Sequence, residues 1–532
     1  MRTDSPPAPP RLAPEEVAAL RTDLAAAPYT AERTEELLGP VPLAALRRED
    51  PVPARRVLHG SDDPAAVLFT LFALGGVVPR SRVGTALPAL GVDGALRTGL
   101  VGPAADPGPR GLDDHVPDDP DTPLRALVDL TPYAARDDAG EISWWIASDL
   151  SELATGRALH GEHVLGVGGA SLTLARIAPR ERVGRVLDLG CGSGIQALHA
   201  ARHAEHVVAT DLSERALAFA ALNAALNDVE IELRRGSLLE PVAGERFDLI
   251  VSNPPFVITP RGAEDDGTRW TYRDGGRAGD TLLAELLRTL PGHLAPGGRA
   301  VLLGNWEIGE EEPWDAHPRA WLEDARADGV DAWVIQREQE DPAQYAETWA
   351  RDGGLTDRDP GWAGLLGAWL DDFAARGVAA IGFGYLLLRR PADGAGERAG
   401  VLRTERIAGT GSGSLAEHLG AGMLALDRLA ALDDTALAGT RPVRAADVVE
   451  RRHLTPGQWD PMLIELVQGA GFARAVPADQ LLAATVGALD GTLTLGQVLA
   501  AVCALTDADE DEARERLLPA VRDLVITQMV TL

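Results

Sequence analysis

No lysine occurs anywhere in these 532 residues; all 50 basic side chains are arginine. A lysine base is therefore excluded from any mechanism. Cysteine is nearly as scarce: Cys191 and Cys503 alone cannot build a disulfide framework, and they fit a reducing compartment. No uncharged apolar run approaches ~18 residues, so no membrane span is expected. The 11 histidines are scattered without ligand spacing, so no metal site is expected. Residues 1–10 are proline-rich and read as a flexible tail rather than a signal peptide. Arginine in place of lysine, with abundant Ala, Gly and Pro, suggests a soluble bacterial protein of the cytoplasm.

Positive charge is also in deficit. Eighty carboxylates give a formal charge of −30 and a pI near 4.7. Nucleic-acid binders need a positive footprint to displace counterions. Arginine pairs exist (Arg47-Arg48, Arg55-Arg56, Arg234-Arg235, Arg389-Arg390), but carboxylates dilute each one. The balance favours a basic protein, a peptide or a small molecule as partner and leaves RNA open. Oligomeric state is not legible.

Two motifs carry the chemistry. The first is Val186-Leu187-Asp188-Leu189-Gly190-Cys191-Gly192-Ser193-Gly194, an apolar strand running into alternating glycines and then a helical pattern over 195–201. Glycines let the backbone turn sharply and approach a ligand closely. A second strand, 206–210, ends in Asp211 at the spacing where an acidic residue meets ribose hydroxyls. A helix over 214–227, a strand over 230–234 and the Gly236-Ser237 turn follow. The second motif ends the next strand, 247–252: Asn253-Pro254-Pro255-Phe256. Asn253 offers a side-chain carbonyl, and Pro254 a main-chain carbonyl with no N–H of its own. Both can accept from one –NH2 group while Phe256 stacks on the plane that carries it. Alone, the tetrapeptide would be a plain strand-ending turn. Its place as the fourth strand after a glycine turn makes it a clamp for a conjugated amine.

Residues 185–305 resemble class I S-adenosylmethionine-dependent methyltransferases. The spacing D-x-G-x-G-x-G differs from the dinucleotide fingerprint G-x-G-x-x-G and favours S-adenosylmethionine over NAD. The N-P-P-F element is similar to that of N-methyltransferases. These include HemK-type enzymes acting on a glutamine amide in translation release factors, and ribosomal RNA guanine-N2 and adenine-N6 enzymes. Tyr272-Arg273-Asp274-Gly275-Gly276 with Gly279 resembles the HemK-type Gly-Gly element, whereas Phe256 stands where many HemK-type proteins carry Tyr. The resemblance implies that Gly190, Gly192 and Gly194 line the methionine part of the cofactor and Asp188 orients its amino-acid end. Asp211 would bind the ribose, Leu212 would pack on the adenine, and Ser237 with Leu238 would occupy the turn that faces the adenine amine. Asn253, Pro254, Pro255 and Phe256 would form the catalytic clamp, with Asn253 also bordering the cofactor. The product would be S-adenosylhomocysteine. Cys191, inside the turn, reads as a small packing residue rather than a nucleophile.

The expected fold is α/β: a Rossmann-like, seven-stranded methyltransferase core with mainly helical, winged-helix-like domains at both ends. The expected divisions are a tail and first helix (1–30), an N-terminal accessory domain (31–127), the methyltransferase domain (128–391), a linker region (392–444) and a C-terminal accessory domain (445–532). Sixth and seventh strands are expected over 331–336 and 379–389, and a last strand over 525–532. Trp144 and Trp145 are candidate pocket residues. The acidic, tryptophan-rich stretch 305–370 is a candidate insertion near the site. Three activities fit: methylation of a protein glutamine amide (a translation factor, for instance), of an RNA base nitrogen, or of a biosynthetic small molecule. The intact glycines, Asp211 and clamp argue against a degenerate scaffold.

Overall fold

Alternating apolar residues make the central strands two-faced, and both faces are covered. The computed structural model describes residues 6–104, 119–137, 139–156, 159–260, 277–393 and 398–532. The core strands are β1 (Val183–Leu189), β2 (Ala204–Asp211), β3 (Glu232–Arg235), β4 (Phe247–Ser252), β5 (Leu294–Gly309), β6 (Asp331–Glu340), β7 (Val378–Arg389) and β8 (Leu402–Arg406). Their order in the sheet is 8-6-7-5-4-1-2-3. Strands β1 to β5 pair in parallel, while β7 runs antiparallel between β5 and β6. The first seven have the order of class I methyltransferases. The eighth, β8, adds in parallel to the outer edge of β6.

One face carries α1 (Gly169–Ile177), α2 (Ile195–Ala201) and, further on, α8 (Leu415–Ala430). Leu174, Ala197, Leu419 and Met423 pack there on Val186, Leu249, Val301 and Trp333. The other face carries α4 (Thr281–Thr289) and α5 (Ala316–Ala327), whose Leu283, Leu287 and Trp321 cover Leu187, Ile250, Leu302 and Val334. Helix α3 (Glu214–Leu226) is shared: Ala220 faces the sheet, while Phe219 and Leu222 join the N-terminal core. Between β6 and β7 stand α6 (Pro342–Asp352) and α7 (Trp362–Arg376), which share a small core with Ile258. The tryptophan-rich stretch therefore contains both regular core elements and this two-helix insertion.

In the N-terminal region, the helix at Pro64–Leu68, strand Val78–Pro79, helices Arg80–Ala86 and Gly91–Arg97, and strands Val101–Pro103 and Pro123–Ala126 follow one another. The last strand lies between the other two. That order of helices and strands is winged-helix-like. A hairpin, Asp129–Asp137 with Gly140–Ser148, ties this region to the core. Asn223 on α3 accepts from Ala147 N and donates to Ala147 O and Ser193 O (2.7–2.9 Å), and Asn227 bonds Trp145 N and O.

The described residues of the expected linker, 392–444, are built into the fold. Within them β8 extends the sheet, and Arg398 forks onto the fully buried Asp331 through two 2.7 Å bonds. Leu415, Leu419, Met423 and Leu426 recur at helical spacing, which seats α8 on Trp333. A Gly/Ala-rich composition masked that periodicity. The C-terminal region also departs from expectation. Its last helix runs Glu510–Ile526, because Val521, Leu524 and Val525 continue its buried stripe, and only Val530–Thr531 is strand. That strand pairs with Val443–Arg444, upstream of the expected boundary, and a three-stranded sheet (Val448–Leu454, Pro461–Gln468, Ala475–Ala478) intervenes before the final helices.

Candidate active site

Ligands of open α/β sheets bind beyond the carboxyl ends of the strands, where the strand order reverses. Here that point lies between β1 and β4. The loops are stitched together there: Gly190 N and Cys191 N donate to Thr210 O, Gly236 N to Asp211 O, and Ser252 Oγ to Leu189 O. The residues expected from the two motifs thus converge on one edge of the sheet.

The glycine turn is a cradle. Gly190, Gly192 and Gly194 have φ of 73°, 53° and 86°, the left-handed region that side chains disfavour. A Cβ at Gly190 or Gly192 would meet nothing within 4 Å, so both face open space. Gly194 has a packing role as well: a Cβ there would lie 3.0 Å from that of Ala220, so this residue lets α3 close on the turn. The buried Asp188 accepts from Ala197 N at 2.8 Å, while Asp211 accepts from Gly192 N (2.9 Å) and Ser213 N (2.8 Å). Both carboxylates therefore hold the turn in shape. Burial pushes Asp188 up to about 7, with Asp211 adding repulsion, and burial also raises Asp211. Leu212 is 64% exposed beside them, an apolar face free to pack on a flat ring. Half-buried Ser237 and Leu238 (φ 47°) form the turn after β3. Burial raises the Cys191 thiol well above its usual range, which disqualifies it as a nucleophile.

The clamp leaves β4 beside this turn. Pro254 is buried and Asn253 half-buried. Asn253 Oδ1 is shielded from solvent and has no hydrogen-bond partner among the described residues. The Phe256 ring meets Trp349 of α6 edge-on at 6.3 Å. A pocket beside the clamp is lined by Pro255, Phe256, Gly279, Asp280, Leu283 and Asn305. Its charged rim is internally paired. Asp280 accepts from Glu307 N (2.9 Å) and bonds His317 (2.6 Å), and Glu307 is held by Arg376 (2.7 Å). The element Tyr272–Gly276 lies outside the described residues.

Sequence reasoning passed over Asn305 and Tyr345. Tyr345 Oη accepts from Ile258 N (2.9 Å) and Asn305 Nδ2 (2.8 Å) and so fixes the segment after the clamp. A signal existed: Asn305 is the polar residue in the apolar run 300–306. Trp144 and Trp145 do not line the pocket. Trp144 is buried and stacks on Tyr133, and Trp145 Nε1 donates to Tyr29 O. Among the described residues one group has metal-ligand spacing, Asp149, His160 and His163, against the expectation of none. However, Asp149 is engaged by Arg215 and by Val164 N, which leaves a cation to compete with a guanidinium.

Strand order, glycine cradle and clamp together define a class I methyltransferase fold. The family model described as Methyltransferase small domain matches residues 166–266, and a domain of unknown function, DUF7059, matches 26–111. The release factor glutamine methyltransferase of Cereibacter sphaeroides is 36% identical over 245 residues, covering 43% of this chain and 83% of that protein. This chain belongs to that family. The ribosomal protein uL3 glutamine methyltransferase of Bradyrhizobium diazoefficiens is 34% identical over 164 residues, 29% of this chain and 50% of that one. The release factor enzyme of Xylella fastidiosa is 41% identical over 133 residues, 24% and 48% of the two chains. The matches thus span about half the length of these last two relatives. Among solved structures, the T. thermophilus 16S rRNA N2 G1207 methyltransferase aligns at 20% identity over 50% of this chain and 66% of that one, with a TM-score of 0.24.

Proposed function

We propose that this chain transfers a methyl group from S-adenosylmethionine to the side-chain amide nitrogen of a glutamine in a protein. The observation that carries this reading is the shielded, unpartnered Oδ1 of Asn253, set beside a prolyl carbonyl at the end of β4. An unpaired acceptor in a dry site costs about 1–3 kcal/mol, which a substrate N–H recovers. Membership in the glutamine methyltransferase family supports an amide as the bearer of that N–H.

Gly190 and Gly192 give a ligand access to the backbone; in this reading Asp188 orients the amino-acid end of the cofactor, Asp211 holds its ribose, and Leu212 and Ser237 meet its adenine. When bound, the cofactor supplies an electrophilic methyl carbon: the N–C bond forms as the C–S bond breaks, and sulfur leaves as a neutral thioether. The chain's own work is positioning. Asn253 and the Pro254 carbonyl orient the two N–H bonds and stabilise the charge that develops at nitrogen. The acidified nitrogen then releases its proton to the clamp or to water, so no strong base is needed. Phe256, braced by Trp349, forms the wall against the amide plane.

The charge of −30 favours a protein partner over RNA. The test is incubation of the purified protein with methyl-labelled cofactor and, separately, a bacterial release factor, ribosomal proteins and ribosomal RNA. Label on a protein glutamine is expected; label on RNA alone would overturn the reading.

A further inference from the structure

The pocket beside the clamp holds a third acceptor, which the transfer of a methyl group does not use. Asn305 is 1% exposed and lines the pocket from β5, the strand next to β4. Its Nδ2 is spent on Tyr345 Oη at 2.8 Å. Its Oδ1 is shielded and has no partner among the described residues, the same condition as Asn253 Oδ1. Tyr345 is fully buried and also receives Ile258 N, so the Asn305 side chain is pinned rather than free to rotate. A pinned, desolvated acceptor selects for a donor, because a ligand that lacks one leaves it unpaired.

The number of hydrogens narrows the choice of donor. A primary amide has two N–H bonds, and the Asn253–Pro254 clamp accepts both. A third acceptor needs an N–H from elsewhere on the substrate. A peptide supplies one from its main chain close to the glutamine side chain. An adenine does not: the ring nitrogen beside its amine is itself an acceptor and would face Asn305 with like polarity. A guanine does carry a ring N–H beside its amine, and the charge of −30 is what favours the peptide over that base.

Resting on the glutamine reading above, we propose that Asn305, positioned by Tyr345, accepts a main-chain N–H of the substrate peptide and selects against acceptors that lack an N–H at that place.

The test compares a glutamine peptide cut from a bacterial release factor with ester analogues in which single main-chain N–H groups are replaced by oxygen. Wild-type chain is expected to lose roughly 10-fold to 100-fold in kcat/KM with one of these analogues, mostly through KM. Asn305→Leu should show the same loss with the normal peptide and no further loss with the ester. Tyr345→Phe, which frees Asn305, should fall between the two. Affinity for adenosylhomocysteine should stay unchanged in both variants, which reports that they fold. Equal kcat/KM for every ester analogue and the parent peptide in the wild type would overturn the inference while leaving glutamine methylation standing. No transfer to any glutamine peptide or intact release factor by the wild type would instead overturn the glutamine reading.

Discussion

Two side chains carry the proposed chemistry at the residue scale, and each makes a prediction. Asn253→Ala removes the unpartnered acceptor without touching the glycine turn. We expect kcat to fall roughly 100-fold to 1000-fold while adenosylhomocysteine affinity, measured calorimetrically, changes little. Retained activity would refute the clamp. Asp188 predicts a pH effect. Its carboxyl, pushed up to about 7 by burial, is largely protonated in the ligand-free chain below that pH. In the proposed role it faces the cationic amino end of the cofactor, so binding below pH 7 must first release a proton. Affinity should therefore climb as pH rises toward 7 and level off above, and Asp188→Asn should flatten the profile. The same raised pKa means that Asp188 loses the ligand-free chain stability as pH climbs from the ordinary carboxylate range through 7. Asp188→Asn should abolish that loss in urea titrations at a series of pH values. Both residues were legible in the sequence, because strand-to-glycine and strand-to-proline transitions are local patterns. Asn305 showed only as a polar residue in an apolar run, and its pairing with Tyr345 was not legible, since 40 positions separate them and only the packing of α6 on the sheet brings them together.

Single contacts set the geometry of whole elements. Helix α3 is fixed to the hairpin at Gly140–Ser148 by Asn223, fully buried, whose amide satisfies Ala147 on both sides and Ser193 O. Asn223→Ala leaves three buried backbone groups unpaired and should cost about 2–4 kcal/mol, read as a lower urea midpoint with an unchanged m value. Gly194 is the opposite case, a place where nothing fits. Its φ of 86° and the 3.0 Å approach to Ala220 mean that Gly194→Ala should cost about 1–2 kcal/mol. It should also loosen cofactor binding by shifting the turn. The motif announced this glycine, but its packing role was hidden, because spacing alone does not say which glycine faces a ligand and which faces a helix.

Over the whole molecule, the segment after Pro391 completes the sheet with Leu402–Arg406 and covers it with Leu415–Ala430 rather than hanging from it. Trp333, fully buried on β6, donates to Glu405 at 3.1 Å and lies under α8, where a Cβ on Gly422 would come within 2.6 Å of its ring. Asp331 depends on Arg398 for its charge partner. A chain ending at Pro391 would bury Asp331 unpaired and bare Trp333. We expect it to aggregate or to unfold without a cooperative transition, checked by size exclusion and calorimetry, even though the residues of the proposed clamp and cradle would all be present. The sequence by itself determined the strands of the core, the left-handed glycine turn and the Asn-Pro-Pro-Phe exit, because each follows from patterns within a few residues: alternation, glycine spacing and the missing N–H of proline. Tertiary structure alone decided that Leu402–Arg406 joins the sheet and Leu415–Ala430 its face, that the tryptophan-rich stretch braces Phe256 through Trp349, and that Asn305 lines the pocket beside the Asn-Pro-Pro-Phe exit. Those outcomes depend on which buried surfaces meet, and burial is a property of the assembled layers rather than of any local stretch of chain.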